Sequence, residues 1–407
     1  MDIIKDELRK FQGLLRENSQ DQYINLQPIQ RGGILPPESK KTLLSFGDGY
    51  SMCDFCLKGR LDMIEKPAIS QFLQLFARWV DMDVSMPTGA SRQAKKIILQ
   101  QLASKVESGV APVLVVDALA HYSTYVAAES AGVEIVEVPH EGYPDFKIDP
   151  DKYAETIDQA RDDRNKQVIA ALITHADYLY GNITSPEAVG KICKDKGVPF
   201  IVNGAYTVGI MPFSGRQCGA DFVTASGHKS MASSGPIGML SCSAEYQDLL
   251  FPRSSIKGNW SGRTFKRKIT TLIGCPSVYG APLATLMSSF AHVVERTRPE
   301  NWEREKENAR LLADALLRID GVKMLGMQPH EHTLMQFETK PFMDVANNAP
   351  KKGFFLYNEL KTRGIVGIFP GMVKSMKLNT YGLTTAQVEH VAKSFIEIAE
   401  KYGCTVN

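Results

Sequence analysis

From residue 113 to residue 241 the chain alternates short, unbroken apolar runs with amphipathic stretches, and this alternation constrains the fold more than any other feature. Residues 113–116 (closing on Asp117), 133–138, 168–174, 200–202, 221–225 and 237–241 read as strands. Residues 122–132 and 185–196 read as helices between them, the second with Pro186 near its first turn. Strands that are apolar throughout, separated by helices, call for a mostly parallel sheet covered on both faces. The expected class is therefore α/β. Ligands of such sheets bind in loops beyond the strand ends. Polar residues gather at those ends: His121, Thr174, His175, Asp177, Asn182, Asn203, Tyr206, Ser226 and His228. Singly, each reads as a satisfied loop residue, and their co-location with one lysine is the signal.

That lysine is Lys229, in Ser226-Gly227-His228-Lys229-Ser230, with Gly235-Pro236-Ile237-Gly238 following. A lysine in a glycine-rich turn at a strand end could hold an aldehyde cofactor as a Schiff base. Desolvation there lowers the amine's pKa and makes it a usable nucleophile and base. Alone, Gly-His-Lys is equally the signature of a solvated turn. Upstream, Thr88-Gly89-Ala90-Ser91-Arg92 opens a helix, where free backbone amides suit an anion.

The N-terminal third is less regular. Residues 1–20 carry Leu and Phe at helical spacing, and residues 72–80 read as an amphipathic helix. Between them, residues 25–37 form a loop rich in Gly and Pro, a length that tends to be functional. Cys53 and Cys56 make a Cys-x-x-Cys pair. The other five of seven cysteines stand apart, at 193, 218, 242, 275 and 404, so a structural zinc ribbon is not expected and a sulfur-handling or cluster-binding pair is. The mixed-charge start and the lack of any apolar run of membrane length predict a cytoplasmic chain with reduced thiols, no signal peptide and no membrane partner. A net charge of +2 restricts nucleic-acid contact to a local patch. Arg253, Lys257, Arg263, Lys266, Arg267 and Lys268, interleaved with Phe251, Trp260 and Phe265, offer one, or simply a solvated basic loop.

Four stretches carry a closer likeness: residues 25–33, residues 47–62 with both cysteines, Ser226 to Gly238, and Cys275 with Gly280-Ala281. With Lys229, His121, Asn203 and the Gly89-Ala90 turn in this order, the chain resembles a fold-type-I pyridoxal-phosphate enzyme. More narrowly, it resembles the archaeal O-phosphoseryl-tRNA:cysteinyl-tRNA synthase family over nearly its whole length. The resemblance implies that Lys229 holds pyridoxal 5'-phosphate. Ser226, Gly227 and His228, with Ala90, Ser91 and Arg92, would bind its phosphate. His121 would stack on the ring and Asn203 would face it. Cys53, Cys56 and Cys275 would carry sulfur, as a persulfide or on an iron–sulfur cluster that they ligate. The implied reaction replaces the phosphate of phosphoseryl-tRNA(Cys) with sulfur, Lys229 moving the α-proton. Implied partners are a second copy of the chain, the charged tRNA, the phosphoseryl-tRNA synthetase and a sulfur donor.

The chain departs from the family pattern in two places. Asn-Gly-Ala-Arg is expected at the first phosphate loop, where this chain has Thr88-Gly89-Ala90-Ser91 with Arg92 one place later. An arginine is expected before Gly280-Ala281, where Tyr279 stands. Neither serine nor tyrosine replaces a bidentate guanidinium, and a diverged second copy is one reading. Two alternatives stay open: a desulfurase- or lyase-like pyridoxal-phosphate enzyme acting on a free amino acid, and a non-catalytic paralogue serving as scaffold or Fe–S carrier. The expected organisation is an N-terminal extended segment over 1–66, a large cofactor domain over 67–295 and a small C-terminal α/β domain over 296–407. The last is read from a charged helix over 298–317, a strand over 334–337 and a closing helix over 385–402.

Overall fold

The computed structural model describes residues 9, 11, 22–27, 31–48, 67–264, 279–350 and 352–407. The strands are β1 (Ile24–Asn25), β2 (Val84–Thr88), β3 (Ala111–Asp117), β4 (Glu134–Val138), β5 (Lys166–Thr174), β6 (Phe200–Asn203), β7 (Phe222–Ser226), β8 (Gly238–Cys242), β9 (Val322–Leu325), β10 (Leu334–Thr339), β11 (Ile365–Val366) and β12 (Ser375–Asn379). The helices are α1 (Pro37–Ser45), α2 (Ile69–Trp79), α3 (Ser91–Ala103), α4 (Tyr122–Ala131), α5 (Lys152–Arg161), α6 (Pro186–Lys196), α7 (Gly227–Ser230), α8 (Gln247–Leu250), α9 (Gly280–Arg296), α10 (Pro299–Leu317), α11 (Lys340–Asn348), α12 (Phe354–Thr362) and α13 (Thr385–Lys401).

A seven-stranded sheet runs in the order β2-β8-β7-β6-β5-β3-β4. Strands β3 to β7 are mutually parallel, while β8 lies antiparallel to both β7 and β2. The reversal follows from chain length: the segment between α7 and β8 is too short for a crossover, which takes a dozen or more residues. Successive residues of the parallel strands enter different cores. Val113, Val115, Ala171, Ile173, Val202 and Val223 pack on one face with α2 and α9. Leu114, Val116, Ala170, Leu172, Ile201 and Phe222 pack on the other with α3 and α4. Burial on both faces is why these strands are continuously apolar.

A second core surrounds the antiparallel sheet β12-β10-β9, with α10, α12 and α13 packed on it. The N-terminal segment joins this core: β1 pairs parallel with β11, and Leu26 is fully buried among its side chains. Among the described residues, no helix is long and apolar enough to cross a membrane.

The expected strands and helices from residue 72 onward are present with small changes of boundary. Sequence reading passed over β2, α5, β9, β11, β12, α11 and α12. Strand β2 was hidden by Pro87, which a sheet tolerates here because β2 is an edge strand. The helix expected over residues 1–20 lies outside the described residues except for Arg9 and Phe11.

Candidate active site

Parallel strands end together. The register pairs Thr174 with Asn203, Asn203 with Thr224, Ser226 with Gly238, and Gly238 with Thr88. The polar strand ends therefore form one row along the carboxyl edge of the sheet, and a cavity of about 540 Å³ opens over them. Ala90, Ser91, Arg92, His121, Asn203, Ser226, His228 and Lys229 all line it, although they come from four separate stretches of chain. Gly227 stands beside them on α7. Cys53, Cys56 and Cys275 lie outside the described residues. The four described cysteines are free, and burial raises the thiol pKa of Cys193 and Cys242 to about 12.

Lys229 sits on a single helical turn rather than an open loop. Its Nζ lies 5.0 Å from the centre of the Tyr206 ring. Burial, then the nearby Arg92, lowers its pKa. Among the described residues no carboxylate pairs with it. The turn is clamped from behind. Gly32 and Gly33 press so close that a Cβ would stand 2.5 Å from the Lys229 carbonyl oxygen and 2.0 Å from that of His228. The Gly32 carbonyl accepts from Ala232 N–H at 2.9 Å, and Ala232 itself holds a positive φ of 47°. The half-buried Arg296 donates to the carbonyls of Gly32, Gly209 and Ser230. The paired glycines thus shape the back of the lysine turn.

At the front, Ser91 Oγ donates to Thr224 Oγ1 at 3.1 Å. Gly238 lets β8 approach this loop, since a Cβ there would meet Ala90 C at 2.6 Å and Ser91 N at 2.7 Å. Among the described residues, the buried hydroxyls of Ser226 and Thr174 have no hydrogen-bond partner. Ser226 ends β7, opposite the Gly238 that abuts Ala90 and Ser91, and an unpaired buried hydroxyl beside the N-terminus of α3 is what a phosphate-bearing cofactor would satisfy. His228 Nδ1 meets the Ile237 carbonyl at 3.0 Å, fixing that ring to the turn.

His121 caps α4: its Nδ1 accepts from Ser123 N–H at 3.1 Å. Its ring packs against Tyr122 and Tyr178, with centroids 4.1 and 4.7 Å away. Burial, then Lys229, Lys95, Arg92 and Lys377, pushes its pKa down to about 4. Asn203 is buried and weakly held, its Oδ1 accepting from Ala205 N–H at 3.4 Å. A second cavity of about 360 Å³ shares His121, Tyr178, Tyr206 and Lys229 and continues past Gln27, Gln336, Phe369, Met372 and Lys377 toward the smaller core.

Part of the polar group read from the sequence falls elsewhere. Asp177 takes the amides of Leu179, Tyr180 and Asn182, and Asn182 ties that loop to Asp145, Phe146 and Met327. His175 is buried with its Nδ1 unpaired. Asp177 and Asn182 brace the loop after β5, and none of the three lines the cavity. Sequence reading missed Lys95, Gln93 and Tyr178. Lys95 was legible in principle, one helical turn beyond Ser91 and on the same face. Tyr279 does reach the site: its hydroxyl donates to Gln93 Oε1 at 2.9 Å, and the same oxygen accepts from Gly89 N–H at 2.6 Å. Among the described residues no group of His, Cys, Asp and Glu could hold a metal ion.

Comparison with known proteins bears on this geometry. Residues 84–407 match the family described as O-phosphoseryl-tRNA(Sec) selenium transferase, SepSecS. The O-phospho-L-seryl-tRNA:Cys-tRNA synthase 2 of Archaeoglobus fulgidus is 48% identical, over 94% of this chain and 96% of that protein. The corresponding synthase of Methanopyrus kandleri is 45% identical, over 98% and 100%. A crystallised SepCysS in complex with a SepCysE N-terminal domain is 42% identical, with TM-score 0.86 over 97% of this chain and 99% of that one. A cysteine desulfurase from Thermococcus onnurineus shares the fold at 16% identity and TM-score 0.71, over 94% and 96%. The architecture is that of fold-type-I pyridoxal-phosphate enzymes.

Proposed function

The chain belongs to the O-phospho-L-seryl-tRNA:Cys-tRNA synthases within the SepSecS family, and from that premise we propose that its cavity replaces the phosphate of phosphoseryl-tRNA(Cys) with sulfur. The observation that carries this reading is Lys229: a half-buried amine without a carboxylate partner among the described residues, facing one cavity with His121, Asn203 and two unpaired hydroxyls.

The donor set fits pyridoxal 5'-phosphate. Ser226, the amides at Ala90 and Ser91, and His228 would hold its phosphate, and Lys229 its aldehyde carbon. When bound, the group supplies an electron sink that acidifies the substrate α-carbon. The chain's own residues do the rest. Lys229, its charge disfavoured by burial and by Arg92, takes the α-proton and later returns it. The Asn203 amide is neutral, whereas a carboxylate there would hold a ring nitrogen protonated. A weaker sink tolerates β-elimination, where the leaving phosphate departs with the electron pair, better than transamination. Arg92, with its guanidinium 5.3 Å from the centre of the Tyr122 ring, supplies the cation at the mouth of the phosphate loop. Sulfur would arrive on Cys53, Cys56 and Cys275, as persulfide or cluster-bound sulfide.

The exposed loop bearing Arg253, Lys257, Arg263 and the almost fully exposed Trp260 suits a tRNA backbone and one stacked base. We place the reaction in the cytoplasm, on a homodimer supplied by the phosphoseryl-tRNA synthetase. A partner like the SepCysE N-terminal domain of the crystallised complex would join this assembly. The deciding experiment is an anaerobic single turnover with phosphoseryl-tRNA and sulfide, beside Lys229→Ala and Cys53→Ala. Cysteinyl-tRNA from the wild type and none from Lys229→Ala is expected. Retained cofactor absorbance with no product from the wild type overturns the substrate assignment.

A further inference from the structure

Lys95 is 1% exposed, yet it lines the same cavity as Lys229 and His121. A buried ammonium is ordinarily paired with a carboxylate. Here Nζ donates instead to two hydroxyls, Ser123 Oγ at 3.0 Å and Thr124 Oγ1 at 2.8 Å. Among the described residues no carboxylate forms an ion pair with it. A methionine of similar volume would cost the fold less, so a stability role does not account for this lysine.

Its contacts lead to His121. Ser123 Oγ lies 2.9 Å from His121 Nδ1. A hydroxyl carries one proton, and an ammonium only donates. With Lys95 donating into Ser123 Oγ, the Ser123 proton is directed to His121 Nδ1. That nitrogen also accepts from Ser123 N–H at 3.1 Å. Two donors converge on Nδ1, which must keep its lone pair, so the ring's proton sits on Nε2. Nε2 has no partner among the described residues. An imidazolium would lose both bonds and would add a charge among Lys95 and Arg92 of α3, Lys229 of α7 and Lys377 of β12, with the rings of Tyr122 and Tyr178 packed beside it.

We propose that Lys95 is a positioning residue that, through Ser123, holds His121 as the neutral ring protonated on Nε2, so that His121 offers the cavity an N–H donor and proton uptake falls to Lys229. Its consequence for turnover rests on the proposed β-replacement, but its test does not.

The test uses the full chain with 15N-labelled histidine, recorded with and without pyridoxal phosphate, and His121 assigned by the signal lost in His121→Gln. Two-bond nitrogen–proton correlations distinguish Nδ1 from Nε2. In the wild type Nε2 carries the proton, and the ring stays neutral until the pH falls toward about 4. In Lys95→Met the protonation midpoint moves up by about one pH unit or more, since a cation is removed and the Ser123 proton is released. An unchanged midpoint and tautomer in Lys95→Met, or a proton on Nδ1 in the wild type, overturns the proposal. Should Lys95→Met not fold, Ser123→Ala cuts the same link while sparing the lysine. A smaller upward shift supports the proposal and no shift overturns it. A chain with the stated tautomer but no visible absorbance on adding pyridoxal phosphate would contradict the proposed reaction and leave the positioning role standing.

Discussion

Lys229 stands between two buried cationic regions that are built oppositely. Behind it, Arg31 and Arg296 are tied to backbone: Arg31 donates to the carbonyls of Tyr381 and Asn25, and Arg296 to three more. The buried Glu305 lies close enough to offset part of the cost of burying both, and it accepts from Gly382 N–H. In front, Lys95 has two hydroxyls and, among the described residues, no ion-pair partner. Burial lowers Arg31 to about 10, still charged at any physiological pH, whereas burial, then Lys229, brings Lys95 to about 7. A guanidinium held by several carbonyls fixes backbone. An ammonium held only by hydroxyls stays adjustable near neutrality, and that is the region facing the chemistry.

The lysine between them sets the upper end of the scale. Lys229→Ala is expected to lower kcat on the order of 10⁴-fold or more and to abolish the cofactor's visible absorbance, while leaving thermal unfolding nearly unchanged. A variant that keeps turnover would show that neither region serves this amine.

The rear region should answer in stability. Arg296→Met strips donors from three carbonyls and leaves Glu305 less compensated, at a cost of roughly 3 kcal/mol by denaturant unfolding. Gly33→Ala drives a methyl into the His228 carbonyl and should destabilise by about 2 kcal/mol or more, displacing the Lys229 turn with it. Equal loss of activity without loss of stability would break the contrast.

The front region should answer in pH. A lysine whose folded pKa is depressed binds fewer protons folded than unfolded between about 7 and its ordinary value, so stability rises with pH across that window. The penalty is complete below pH 7. Lys95→Met should therefore gain most over the wild type in acid and progressively less above neutrality, read as chemical denaturation at several pH values. A gain independent of pH would mean that Lys95 is not the source. The smallest effect is expected at the rim. Lys377 donates to the Tyr178 carbonyl at 2.6 Å, and Lys377→Ala should raise KM several-fold with kcat little changed, by loosening the Tyr178 wall.

What the sequence determined by itself is the sheet and its edge. Continuously apolar strands at 113–116, 168–174 and 200–202 can be satisfied only by burial on both faces, and parallel strands end together. His121, Asn203, Ser226 and Lys229 were therefore legible as one group from their places at strand ends. Asp177 and Asn182 sit at the same edge yet turn to brace a loop, and the neighbouring His175 stays out of the cavity, because strand-end position fixes a residue's location and not its side chain's direction. Lys95 shares a helix face with Ser91, yet it was passed over because mid-helix lysines ordinarily face solvent. The docking of α3 against α4, which brings Ser123 and Thr124 over it, is decided only in three dimensions. So is the purpose of Gly32-Gly33, nearly two hundred residues from the turn they support. The hydrophobic pattern is local and repeats, and so it can be read along the chain. The pairing of one buried polar group with another depends on which elements pack together, and that is settled only when the chain closes on itself.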